Sequence, residues 1–128
     1  MILAAFLLAA APVECDDGAD AEISQCWSQA SERADADLNK VWPDVLRAAH
    51  NADKGFGATQ RKAQASAATD LLTSQRAWLK FRDAQCAVEG DYAQGGPLET
   101  IITGQCETEM TRARIKALRD LATGWQEG

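Results

Sequence analysis

Four cysteines, two arginines on apolar helix faces and a scatter of carboxylates are the residues of this chain with chemistry to offer. Cys15, Cys26, Cys86 and Cys106 are an even set without a Cys-x-x-Cys pair, and the single histidine, His50, lies far from them. A zinc site calls for tighter spacing or more histidines, so no metal is assigned. The set reads instead as two disulfides formed in an oxidising compartment. Three pairings are possible, with bridges between separate helices favoured. The carboxylates are numerous, yet nothing singles out two of them as the acid and base of a glycoside hydrolase. There is no Gly-x-Ser-x-Gly elbow, no cysteine–histidine pairing and no phosphate loop. The sequence therefore reads as a non-enzyme without a cofactor.

The elements that position these residues are helical. Ser74 to Cys86 has no glycine or proline and is rich in good helix formers. At about 100° per residue, Gln75, Arg82 and Cys86 fall in the middle of one face, with Leu71, Leu72, Trp78 and Leu79 at its margins. A guanidinium facing a core needs a partner, since an unpaired buried charge is very costly. That face therefore predicts acidic or carbonyl groups elsewhere and a thiol partner for Cys86. An earlier helix begins near Asp20 to Glu22, with Ile23, Trp27, Ala30, Ala34, Leu38 and Val41 as its stripe and Asp35 and Asp37 near the edges. Pro43 is expected to kink or split it. Asn51 to Gly57 reads as a turn by composition, and a second helix as running from about Ala58 to Gly90. Gly90 to Pro97 reads as a loop. A third helix, from about Leu98 to Leu121 or beyond, presents Ile102, Cys106, Met110, Ala113, Ala117, Leu121 and Trp125 as its face, with Arg114 inside it. The fold expected is all-α: a small up-down-up three-helix bundle stapled by two disulfides, its first helix kinked near Pro43. Helical phasing places Trp27, Trp42 and Trp78 in the core and leaves Trp125 the most open.

The chain has 128 residues and a formal net charge of −6. That balance disfavours nucleic acid and anionic membranes and suits a basic protein partner. Met1 to Ala11 is almost wholly apolar and reads as the core of a secretory signal, too short to span a bilayer. It lacks a basic start, and Pro12 would follow the scissile bond. Residues 12–128 are then one domain in a periplasmic or secreted protein, with no stable membrane insertion after signal removal.

Several separated stretches resemble the LprI-type lysozyme inhibitor domain. They are Asp35-Ala36-Asp37-Leu38-Asn39 with Val41-Trp42, then Gln75-Arg76-Ala77-Trp78 with Phe81-Arg82-Asp83 and Cys86, then Gly95-Gly96, and then Cys106 with Thr111 and Arg114. The resemblance runs from about Cys15 to Leu118. It implies an exported helical protein with paired cysteines, and the family name implies inhibition of lysozyme. Trp42 stands where the family usually has tyrosine, and Pro97 where serine is common.

Asp35, Asp37, Asn39, Gln75, Arg82, Asp83 and Arg114 are expected to join the helices as a structural polar network, with Arg82 and Arg114 each paired to Asp35 or Asp37. Two stretches are candidates for partner contact. One is the loop from Glu89 to Thr100, with Glu89, Asp91, Tyr92, Gly95, Gly96 and Glu99. The other is the acidic lead-in from Glu14 to Glu22. Two functions follow: an inhibitor that binds a basic lysozyme, or a cell-envelope interaction module with another protein partner and no effect on lysozyme.

Overall fold

The structure, a computed structural model, describes residues 15–60 and 66–127. The signal-like segment and Glu14 of the lead-in lie outside them. Three helices make the fold, α1 (Asp20–Gln60), α2 (Ala67–Gly90) and α3 (Pro97–Glu127), with one 3-10 turn at Asp91–Ala93 and no strand among the described residues. Asp20 and Glu22 stand in the first turn of α1, where the helix dipole favours them. With 41 residues, α1 is roughly 60 Å long and runs unbroken through Pro43, so the alternative of a split helix falls away.

The turn expected at Asn51 to Gly57 is absent, because α1 continues to Gln60. The residues that looked like a turn have a different task. The Asp53 carboxylate accepts from the backbone N–H of Ala67 at 2.7 Å and of Ala68 at 3.1 Å, so α1 caps the start of α2. Ser66 completes the cap, its hydroxyl accepting from Thr69 N–H at 3.0 Å. The second helix thus starts at Ala67 rather than Ala58. Its first turn is anchored, for Ala67, Ala68 and Leu71 are buried.

At the other end of α2, Gly90 packs on α3, and a Cβ there would lie 2.7 Å from Thr103 Cγ2. Gly95 takes a positive φ of 87° and donates its N–H to Glu99 Oε2 at 2.9 Å. Pro97 then opens α3, a position where its missing N–H costs nothing.

The contacts fix the topology. Ser31 reaches Glu107, and Asp37 reaches Arg112, so α1 and α3 run parallel. Gln75 meets Arg114, Arg82 meets Thr111, and Cys86 meets Cys106, so α2 runs antiparallel to α3. This is the up-down-up bundle. Its larger core holds Leu38, Val45, Ala49, Leu71, Ile115 and Leu118, with Trp42, Trp78 and Trp125 packed half-buried against it. A smaller one holds Cys15, Trp27 and Ala30, with Ile23 and Ile101 beside them.

The inward face of α3 differs from the one expected. Gly104, Cys106, Thr108, Thr111, Ile115 and Leu118 are buried, whereas Ala113, Ala117 and Leu121 are exposed. Close packing explains the shift. A Cβ on Gly104 would sit 3.0 Å from Trp27 Cβ and 3.1 Å from its carbonyl carbon, so α1 and α3 approach backbone to side chain. Small and hydroxyl residues suit that distance better than leucine. Thr108 hides its hydroxyl by donating it to the Gly104 carbonyl at 2.7 Å.

Candidate functional site

Cys86 of α2 bonds Cys106 of α3, and Cys15 of the lead-in bonds Cys26 of α1. The first joins separate helices as expected. The second does not, for it ties the lead-in back onto its own helix. Together they fasten three pieces at one end of the bundle: the lead-in with the start of α1, the end of α2, and the start of α3.

Farther along, the polar residues gather around two arginines. Arg82 is buried, and its Nη1 donates to Asp35 Oδ1 at 2.6 Å and to Thr111 Oγ1 at 3.1 Å. Its Nε donates to Asp83 Oδ1 at 3.1 Å. Burial lowers its pKa, but the hydrogen bonds and charges of Asp35 and Asp83 outweigh burial and leave it above the ordinary value. Arg114 takes no acid among the described residues. Its Nε donates to Gln75 Oε1 at 2.9 Å and its Nη2 to Ser74 Oγ at 3.1 Å. Burial pushes its pKa below the ordinary value. Both guanidinium groups lie over the ring of Trp78, at 5.3 and 5.7 Å from its centroid.

The expected pairing of Arg114 with a first-helix acid is therefore corrected. Asp37 pairs with Arg112 instead. The Arg112 hydrogen bond lowers the Asp37 pKa against an opposing effect of burial, and the charges of Arg112, Lys40 and Arg119 add to the lowering. Arg112 was missed because it sits at the margin of the α3 face. An acid on α1 needing a partner was the only signal for it. Asn39 is exposed and takes no part in these bonds. The network therefore brings together Asp35, Gln75, Arg82, Asp83, Thr111 and Arg114, while Asp37 forms a separate pair.

The topology also joins the two candidate contact stretches. Ile101 packs on Cys15 and Trp27, so the lead-in and the loop before α3 share one end of the bundle. Residues 15–32 and 84–111 carry ten acidic residues and no lysine, arginine or histidine. None of those ten is in an ion pair among the described residues. All thirteen lysines and arginines lie in 33–82 or 112–119. Within the loop, Glu89, Asp91, Gly95 and Tyr92 are exposed, Tyr92 at 79%, while Glu99 and Gly96 are half-buried. Leu98 and Val88 beside it are exposed as well. One oxygen of Glu89 lies 3.0 Å from Cys106 Sγ. The sequence signal for this surface was the absence of bases from two stretches distant in the chain, which becomes a surface only once the helix directions are known.

An uncharacterized protein of Rhizobium meliloti (strain 1021) is 37% identical over 100 residues, covering 78% of this chain and 71% of that protein. No solved structure matches the chain. The family model described as lysozyme inhibitor LprI matches residues 14–118, and with nearly the whole bundle inside that match, the chain belongs to the LprI lysozyme inhibitor family.

Proposed function

We propose that this protein is an exported inhibitor that binds a basic lysozyme through its acidic end. The observation that carries the reading is the charge segregation: ten acids at one end of the bundle with no ion pair among the described residues, and every described lysine and arginine elsewhere. Such an end steers a cationic partner and speeds encounter. Tyr92, flanked by exposed Val88 and Leu98, supplies the aromatic anchor that interfaces concentrate their energy on. The Cys86–Cys106 bridge and Pro97 hold the loop from both sides, and the Cys15–Cys26 bridge holds the lead-in, so little ordering remains to be done on binding. Family membership supports the target, and two disulfides support an oxidising compartment.

The test is a cell-wall clearing assay with oxidised protein titrated against lysozyme, alongside association rates measured in rising salt. Dose-dependent inhibition is expected. The double variant Asp91→Lys/Tyr92→Ala should weaken it at least about tenfold, the scale of one lost anchor. The association rate should fall as salt shortens the Debye length from about 30 Å at 0.01 M to about 8 Å at 0.15 M. A folded sample that inhibits none of several lysozyme types would sink the reading and leave the envelope interaction module.

A further inference from the structure

We propose that the groove between α1 and α2 is a binding site for a small amphipathic carboxylate, independent of the acidic end. The groove has a volume of about 340 Å³, within the range of small-ligand sites. Its apolar part is built from Leu38 and Trp42 of α1 and from Leu72 and Leu79 of α2. Leu38 is buried, Trp42 is half-buried, and the two α2 leucines, one heptad apart, remain 38% and 37% exposed. An apolar body laid there would cover leucine surface that the bundle leaves wet.

The polar groups set the charge of the head. Arg82 and Asp35 close one end, and each already satisfies the other, with Asp83 and Thr111 completing the arginine's bonds. Arg76 lines the same groove, is exposed, and has no acid within ion-pair distance among the described residues. Gln75 is 92% buried, and its carbonyl oxygen is taken by Arg114. Its amide nitrogen has no acceptor among the described residues. Buried donors are seldom left so. The groove thus offers one uncommitted cation and one desolvated N–H donor, and no uncommitted anion of comparable burial. A carboxylate head answers both donors, and Arg binds carboxylates in a two-pronged fork. An ammonium head would meet Asp35, whose charge Arg82 already engages, and the neutral, solvent-exposed amide of Asn39.

The discriminating probes are octanoate, octylammonium and octanol, titrated into the oxidised protein with the Trp42 indole N–H followed by NMR. Octanoate should shift that signal saturably and bind at least about tenfold more tightly than the other two, against the protein's net charge of −6. Arg76→Gln, a change at an exposed site, should keep the melting temperature and reduce octanoate binding to the level of octanol. No saturable shift, equal binding of octanoate and octylammonium, or an Arg76→Gln variant that binds octanoate unchanged would each overturn the proposal.

Discussion

The two ends of this bundle are held together by different means. Around Leu38, Val45, Leu71, Ile115 and Leu118, apolar side chains fill the space between the helices, and Arg82, Arg112 and Arg114 tie them across. Around Cys15, Trp27 and Ala30 the core is small, residues 15–32 and 84–111 hold no cation, and both disulfides are found there. An end that keeps ten unpaired acids repels itself. Covalent bonds supply there the cohesion that ion pairs and leucines supply elsewhere, and they do so without neutralising the surface. Unpaired charge and charge used in holding the helices together are separated along the bundle axis.

Removing the disulfides is the hardest blow to that picture. The chain-entropy estimate gives roughly 3 kcal/mol for each bridge, given sequence separations of 11 and 20. Replacing all four cysteines by serine should release the acidic end first. Hydrogen exchange should show residues 20–32 and 84–106 losing protection while residues around Val45, Leu71 and Leu118 keep theirs. Uniform loss of protection would mean that the two ends fold as one unit and that the division is only descriptive.

Arg82→Ala attacks the other end. A broken buried ion pair costs about 3–5 kcal/mol. Asp35 is 46% exposed in its side chain and can rehydrate, which places the expected loss near the lower bound, about 3 kcal/mol in urea denaturation. A variant that melts like the parent would show that the Leu71 and Ile115 packing carries this region alone.

The Arg82 face illustrates what the sequence makes legible. Gln75, Arg82 and Cys86 share one helical face by their spacing alone, and all three are buried in the bundle. Desolvation of Arg82 calls for an acid, and the even set of cysteines for a thiol partner, and Asp35 and Cys106 meet these needs. Three things escaped for physical reasons. Asn51 to Gly57 has turn composition, but tertiary use of Asp53 as a cap for α2 keeps it helical. The large residues of α3 mark one face, whereas close helix approach selects another, with Gly104, Thr108 and Thr111. Charge usually seeks charge, yet the side-chain amide of Gln75 and the hydroxyl of Ser74 serve Arg114. Of the candidate site, the individual acids were legible, but their convergence depended on helix direction and on the pairing of the cysteines.

Gly104→Ala probes the close approach between α1 and α3 at the acidic end. Alanine gains about 1 kcal/mol in helix propensity. Its methyl would meet the Trp27 Cβ, carbonyl carbon and carbonyl oxygen at 3.0, 3.1 and 3.2 Å, and two of these are backbone atoms that cannot rotate away. Overpacking of this kind costs about 1–3 kcal/mol. The net effect should be a destabilisation of about 1 kcal/mol, read from the urea midpoint. A stabilised variant would show that the helices separate easily here and that the disulfides alone set their spacing.

The smallest effect belongs to Asp37, and it returns to the end that does have cations. Its bond to Arg112 and the charges of Arg112, Lys40 and Arg119 lower its pKa in the folded protein. A carboxylate whose folded pKa is depressed contributes stability above its unfolded pKa of about 4, and that contribution is lost as pH falls through the folded value. The side chain is 45% exposed, so solvent screening limits the pair to under about 1 kcal/mol. Asp37→Asn should therefore be slightly less stable than the parent at pH 7, and the gap should close as the pH falls below about 4. High salt at pH 7 should narrow the same gap, because it screens the pair. In the parent, salt should also relieve repulsion among the ten unpaired acids, so its overall stability should hold or rise while this one pair weakens. If salt destabilises the parent as a whole, pairs such as Asp37 with Arg112 outweigh the repulsion, and the acidic end is under less strain than its composition implies.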